Sequence, residues 1–150
     1  MKKLLPLLAL LFLFSCSDDD ELVPVGSSFS GKWDLVKTEG QVEGSVDTGA
    51  DMPFQEFYIF RANGTFFKQR ITNGETLEAS GEYEVGTPGF TFEGEQAVNS
   101  VILTYPSEDP LLATCHITLL EEHLYLTVDG RLVNTWKACD GLGMEYLKTQ

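Results

Sequence analysis

Residues 56–85 read EFYIFRANGTFFKQRITNGETLEASGEYEV. Aromatic and β-branched residues dominate the segments around Asn63-Gly64 and Asn73-Gly74, two dipeptides that tolerate positive φ at both positions of a type I′ turn. The pattern predicts strands at 56–61, 65–72 and 76–85 joined by tight hairpins. With Asn63-Gly64 as a two-residue loop, Phe60 faces Phe67 and Tyr58 faces Gln69. The opposite surface then pairs Ile59 with Lys68 and Phe57 with Arg70. Carried through Asn73-Gly74, this register leaves Tyr83 and Val85 on the Lys68 side. A bulge at Ser80-Gly81 reverses the parity and gathers Tyr58, Phe60, Phe67, Ile71, Tyr83 and Val85 on one aromatic wall, which is the arrangement expected.

Asp129-Gly130 repeats the turn signal downstream. A two-residue loop at Glu121-Glu122 sets Leu119 opposite Leu124 and Ile117 opposite Leu126, and the next turn sets Leu126 opposite Val133. Cys115, Ile117, Leu119, Leu124, Leu126, Val128 and Val133 then share an apolar face. The other face is mixed, with His116, Thr118, Tyr125, Thr127, Asn134 and Trp136. Further segments at 32–39, 90–92, 101–105, 113–120, 123–128, 131–138 and 144–148 bring the total to ten. Residues 40–52 form a long loop after the first strand. The fold expected is all-β, an antiparallel up-and-down meander barrel of about eight to ten short strands.

The first 30 residues read differently. Met1-Lys2-Lys3 is a basic n-region, residues 4–14 are apolar, and Ser15 precedes Cys16. This is a bacterial export signal. Its eleven apolar residues would span about 16 Å as a helix, half of what a bilayer requires. Leu13-Phe14-Ser15-Cys16 resembles a lipobox, which implies that Cys16 becomes the lipidated N-terminus, carrying palmitate-type acyl chains. Ser17-Asp18-Asp19-Asp20-Glu21 and the Pro/Gly/Ser-containing stretch after it read as a solvated tether. The acidic run resembles the surface-export signal of lipoproteins from the Bacteroides group. The organisation expected is therefore a signal peptide over 1–15, a lipidated tether over 16–30 and a barrel over 31–150. The location expected is the outer membrane, with cell-surface and periplasm-facing placements both open.

The 150-residue chain carries a net charge of −13. Removing residues 1–15 takes two of its ten basic residues and leaves eight against 23 acidic ones, or −15. Nucleic acid is excluded as a partner on that charge. The catalytic inventory is thin: His116 and His123 are the two histidines, and no nucleophile-elbow, metalloprotease or phosphate-loop motif is present. The register separates the histidines by about 13 Å at 3.3 Å per residue, too far for one metal ion. No enzyme activity, metal or cofactor is expected. Cys115 and Cys139 form an even pair in an oxidising compartment. The strand register nevertheless puts them about 26 Å apart, which favours separate thiols.

Gly31-Lys32-Trp33, heading the meander, resembles the G-x-W start of the lipocalins and of the lipocalin-like lipoproteins of Bacteroides-type bacteria. The resemblance covers roughly residues 31–148, including the first hairpin and Gly81-Glu82-Tyr83-Glu84-Val85. It implies that Trp33 packs at the closed end of the barrel beneath a basic residue, for which Arg131 and Lys137 are the candidates. Two functions follow. One is a binding module whose interior, lined by Tyr58, Phe60, Phe67, Tyr83 and Tyr105 with Gln69 as a polar contact, holds a small apolar or amphipathic ligand. The other is a filled barrel that meets a protein partner through its loops.

Overall fold

The computed structural model describes residues 29–87, 91–92, 94–116 and 118–150. Its strands are β1 Gly31–Glu39, β2 Val46–Thr48, β3 Gln55–Phe60, β4 Thr65–Thr72, β5 Glu75–Gly86, β6 Thr91–Phe92, β7 Glu95–Thr104, β8 Glu121–Thr127, β9 Arg131–Asn134 and β10 Gly143–Lys148. Antiparallel pairing runs β1-β3-β4-β5-β7-β8-β9-β10 in chain order, and β10 pairs back onto β1. Eight strands thus close an up-and-down barrel, with β2 added to β1 and β6 to β7. Cys16, residues 17–28 of the expected tether and residue 90 of the strand expected at 90–92 lie outside the described residues, whereas Phe29, assigned to the tether, is buried in the core.

Turn chemistry sets the register. At Asn73-Gly74 both residues have positive φ (50° and 79°), and Thr72 pairs with Glu75, the two-residue hairpin expected from the sequence. At the other two sites only the glycine is positive, Gly64 at 81° and Gly130 at 83°. Each closes a three-residue loop: Gly64 N–H donates to the Arg61 carbonyl (3.1 Å) and Gly130 N–H to that of Thr127 (3.1 Å). A turn followed by a left-handed glycine holds one residue more than a type I′ turn, and one residue flips a strand's faces. Phe60 therefore pairs with Phe66 and Tyr58 with Lys68. Leu126 likewise pairs with Leu132, not Val133.

This corrects the expected first wall. Phe66, Lys68 and Arg70 take the side of Tyr58 and Phe60, while Phe67 and Gln69 turn outwards. No bulge occurs at Ser80-Gly81, because β4 and β5 pair without a break from Thr65–Glu82 to Thr72–Glu75. Tyr83 reaches the interior by regular alternation. Among the described residues of 113–120 the expected strand is also absent. The described residues between 105 and 120 form an irregular connection, and Glu121 and Glu122, expected to turn, begin β8 opposite Thr104 and Leu103. Cys115, His116 and Leu119 lie in that connection and are exposed, and Ile117 falls outside the described residues.

Cys115 and Cys139 are joined in a disulfide, with Cα atoms 5.7 Å apart. The expected separation assumed a continuous strand over 131–138. Instead β9 ends at Asn134, and a 3₁₀ turn at Trp136–Cys139, followed by left-handed Asp140 (φ 65°), folds the chain back. The bridge ties this turn to the 105–120 connection.

Trp33 sits at the end of the barrel where the chain enters. Its indole N–H donates to the Phe29 carbonyl at 3.0 Å, and its ring stacks on Phe29. Phe60 meets Phe29 and Tyr83 edge-on, closing this end with aromatic rings. Neither basic candidate covers Trp33. Arg131 points outwards to Glu145 (2.8 Å) and Asp129 (2.7 Å), and Lys137 reaches Glu39 (2.6 Å). Trp33→Ala would empty a buried aromatic site. The expected loss is about 3–5 kcal/mol in denaturant melts, and a loss below about 1 kcal/mol would mean that the ring contributes little packing.

Candidate functional site

The interior beyond the aromatic end is charged. Alternation along β3 points Glu56 and Tyr58 inwards, β4 supplies Lys68 and Arg70, β8 supplies Glu122 and β10 supplies Tyr146. Lys68 and both glutamate side chains have no solvent exposure. One Glu122 oxygen accepts from the Tyr58 hydroxyl at 2.7 Å and the other from Tyr105 at 2.6 Å. Lys68 Nζ donates to both, at 3.1 and 3.0 Å. It also donates to the Leu111 carbonyl at 2.8 Å and lies 3.5 Å from Glu56. Glu56 accepts from Tyr146 at 2.6 Å and from Arg70 Nε at 2.5 Å. Arg70 stacks over the Phe54 ring, 3.9 Å from its centroid.

Two cations therefore face two carboxylates, and the cluster is neutral overall. Such an arrangement survives burial because every charge has a counter-charge and every hydroxyl an acceptor. Among the described residues, only Thr38 Oγ1 is a buried side-chain oxygen or nitrogen without a hydrogen-bond partner. Leu111 and Ala113, buried in the 105–120 connection, complete the enclosure at the end opposite Trp33.

Burial holds the Tyr58 and Tyr105 hydroxyls well above the usual tyrosine range, reinforced by the Glu122 charge. Burial and the Glu56 charge do the same for Tyr146. All three remain protonated donors at neutral pH. Each carboxylate of the network accepts from hydroxyls and cations within it, which makes it a fixed internal salt cluster.

The residues expected to line a cavity divide into two groups. Tyr58, Phe60, Tyr83 and Tyr105 are interior and buried, but the hydroxyls of Tyr58 and Tyr105 are taken by Glu122 and that of Tyr83 by the Arg61 carbonyl at 2.9 Å. Phe67 and Gln69 are on the outer wall: Phe67 lies beside Phe57, and Gln69 donates to Glu78. The inward places assigned to them belong to Phe66 and Lys68. His116 and His123 border one surface depression beside the disulfide, and the described residues hold no group of three or more potential metal ligands. Sequence reasoning missed Glu56, Lys68, Arg70 and Glu122. The signal lay in parity, since Glu56-x-Tyr58 and Lys68-x-Arg70 offer matched charges on one side only under the three-residue loop.

Lys68→Met would leave Glu122 buried without its cation and the Leu111 carbonyl without its donor. The expected destabilisation is about 3–5 kcal/mol. In the double variant with Glu122→Gln the two losses should fall short of additivity by about 1 kcal/mol or more; strict additivity in chemical melts would deny the pairing. A second expectation concerns alkaline pH. The three tyrosines are held protonated when folded and ionise near pH 10 when unfolded, so their contribution is intact below pH 10. Above it, stability falls by about 1.4 kcal/mol per pH unit for each of them. Tyrosinate absorbance from Tyr58, Tyr105 and Tyr146 should therefore appear together with loss of the circular dichroism signal, and ionisation within the folded state would contradict the network.

No protein-family model, curated protein or solved structure matches the chain, so its likeness to the lipocalins is one of architecture.

Proposed function

We propose that this chain is an envelope-anchored, non-catalytic interaction module, a lipid-tethered barrel filled by its own side chains that engages a protein partner through its outer surface. One observation carries the reading: the volume in which a barrel of eight strands would hold a ligand is occupied by Lys68, Glu122, Tyr58 and Tyr105 under the Leu111 lid. An apolar molecule entering there would strip hydrogen bonds from buried charges and offer none in return, at a cost of several kcal/mol. The depressions found around the described residues, such as those beside His123 and beneath Met52, lie on the outside or at the loop-covered end.

The anchor rests on the sequence of residues 1–16, with its basic start, apolar run and Cys16. Two acyl chains would supply the membrane affinity, at about 0.8 kcal/mol per buried methylene. The outer membrane remains the proposed location. Intact-mass and native mass spectrometry of protein purified from its own envelope would test both halves. The expected result is a mass increased by acyl chains at Cys16, with no further small molecule retained. A stoichiometric apolar ligand would restore the binding-module reading, and an unmodified Cys16 would remove the anchor.

A further inference from the structure

The barrel wall splits between β5 and β7. β5 runs over twelve residues from Glu75 to Gly86, but β7 pairs only with its last five, from Gly86–Ser100 to Glu82–Thr104. Beyond Thr104 the chain leaves β5 and stays with β8, the Tyr105 N–H donating to the Leu120 carbonyl at 2.7 Å. Glu75 to Gly81 are thereby paired with β4 on one side alone. The two-residue turn makes Thr72–Glu75 a hydrogen-bonded pair, so alternation directs the N–H and C=O groups of Thr76, Glu78 and Ser80 away from β4, towards the gap. No backbone hydrogen bond outside the strand ladders engages them among the described residues.

This edge borders a groove. Two depressions of about 540 and 290 Å³ share Ser80 and Pro106, and their other walls include Phe66, Tyr105 and Asp109. Gly81 stands at the fork, where a Cβ would lie 2.1 Å from the Thr104 carbonyl oxygen and 2.8 Å from the Phe66 ring, so the chains approach there as closely as a backbone permits. The exposed side chains of the edge are Glu75, Thr76, Glu78 and Ser80, with Glu82 following. None of the three glutamates forms an ion pair among the described residues, and Arg61 is the cation at the groove's end.

We propose that the free edge of β5 binds an extended, lysine- or arginine-bearing segment of a partner protein by strand addition. Main-chain bonds to Thr76, Glu78 and Ser80 would supply the affinity, and cations opposite Glu78 and Glu82 the selectivity. A second copy of this edge fits poorly, because it would set the same glutamate row against itself. The inference rests on the interaction-module reading and specifies the surface that module uses.

The test uses full-length protein in neutral detergent and a synthetic hexapeptide of alternating lysine and valine. Amide exchange by NMR should show Thr76, Glu78 and Ser80 exchanging rapidly in the free protein and protected when the peptide is present. A peptide of the same composition with lysines and valines in separate blocks should leave them unprotected. Glu78→Lys with Glu82→Lys, both on the exposed face, should weaken binding about tenfold or more. Ser80→Pro, which removes a donor that β4 does not use, should weaken it further. The proposal falls if those amides are already protected in the free protein, if the blocked peptide protects them equally, or if the charge-reversed variant binds as well as wild type. Each of these results leaves the filled-barrel reading standing, because that reading fails instead on a retained small molecule.

Discussion

The Glu122 carboxylate is the point to which the interior is tied. It stands on β8 and receives Tyr58 from β3, Lys68 from β4 and Tyr105 from the segment leaving β7, so four parts of the wall meet on two oxygen atoms. Burying that charge alone would cost several kcal/mol, and the surrounding donors offset the cost only when all are in place. The interior therefore behaves as a unit. Lys68 extends it in two directions, to Glu56 and so to Tyr146 and Arg70, and to the Leu111 carbonyl in the lid. A barrel packed only with apolar side chains would tolerate small shifts of one strand past another. This one carries distinct charges at distinct heights, and they neutralise in a single register.

That constraint explains what the sequence disclosed and what it hid. The all-β meander was legible because strand and turn signals are local: alternating aromatic and β-branched residues, and the dipeptides Asn63-Gly64, Asn73-Gly74 and Asp129-Gly130. Trp33 was legible by its place at the head of the first strand. Register was not, because Asn63-Gly64 and Asp129-Gly130 suit a two-residue turn and a three-residue loop nearly equally. Under the two-residue reading Phe67 and Gln69 enter the barrel while Lys68 and Arg70 leave it. Glu56 would then be buried facing no cation. The energy separating two turn types is far smaller than the cost of an uncompensated buried carboxylate, so tertiary electrostatics decides the matter. The bulge expected at Ser80-Gly81 was a second error compensating the first, and it vanishes once Phe66 faces Phe60.

The disulfide was hidden for a related reason. Distances along a strand are reliable only if the strand continues, and the described residues of 113–120 and 135–138 are not strand. Cys115 and Cys139 instead join two excursions at the same end of the barrel, closing a loop with a sequence separation of 24 residues. On chain-entropy grounds such a link contributes about 3 kcal/mol. Its position matters as much as its magnitude, because it fastens the connection that carries Leu111, whose carbonyl completes the Lys68 coordination.

The filled interior and the open edge have one cause. To reach Glu122, Tyr105 must remain beside β8, and its backbone bond to Leu120 keeps it there. The chain that could have continued along β5 is thereby withdrawn, and β5 loses its neighbour from Gly81 back to Glu75. A lipocalin-type barrel keeps its wall paired and its centre vacant for a ligand. Here the centre is closed by Lys68, Glu122 and three tyrosines, while the wall is parted on one side and lined there with Glu75, Glu78 and Glu82. In the function proposed, recognition moves from the inside of the barrel to this seam, where backbone groups rather than a cavity would meet a partner.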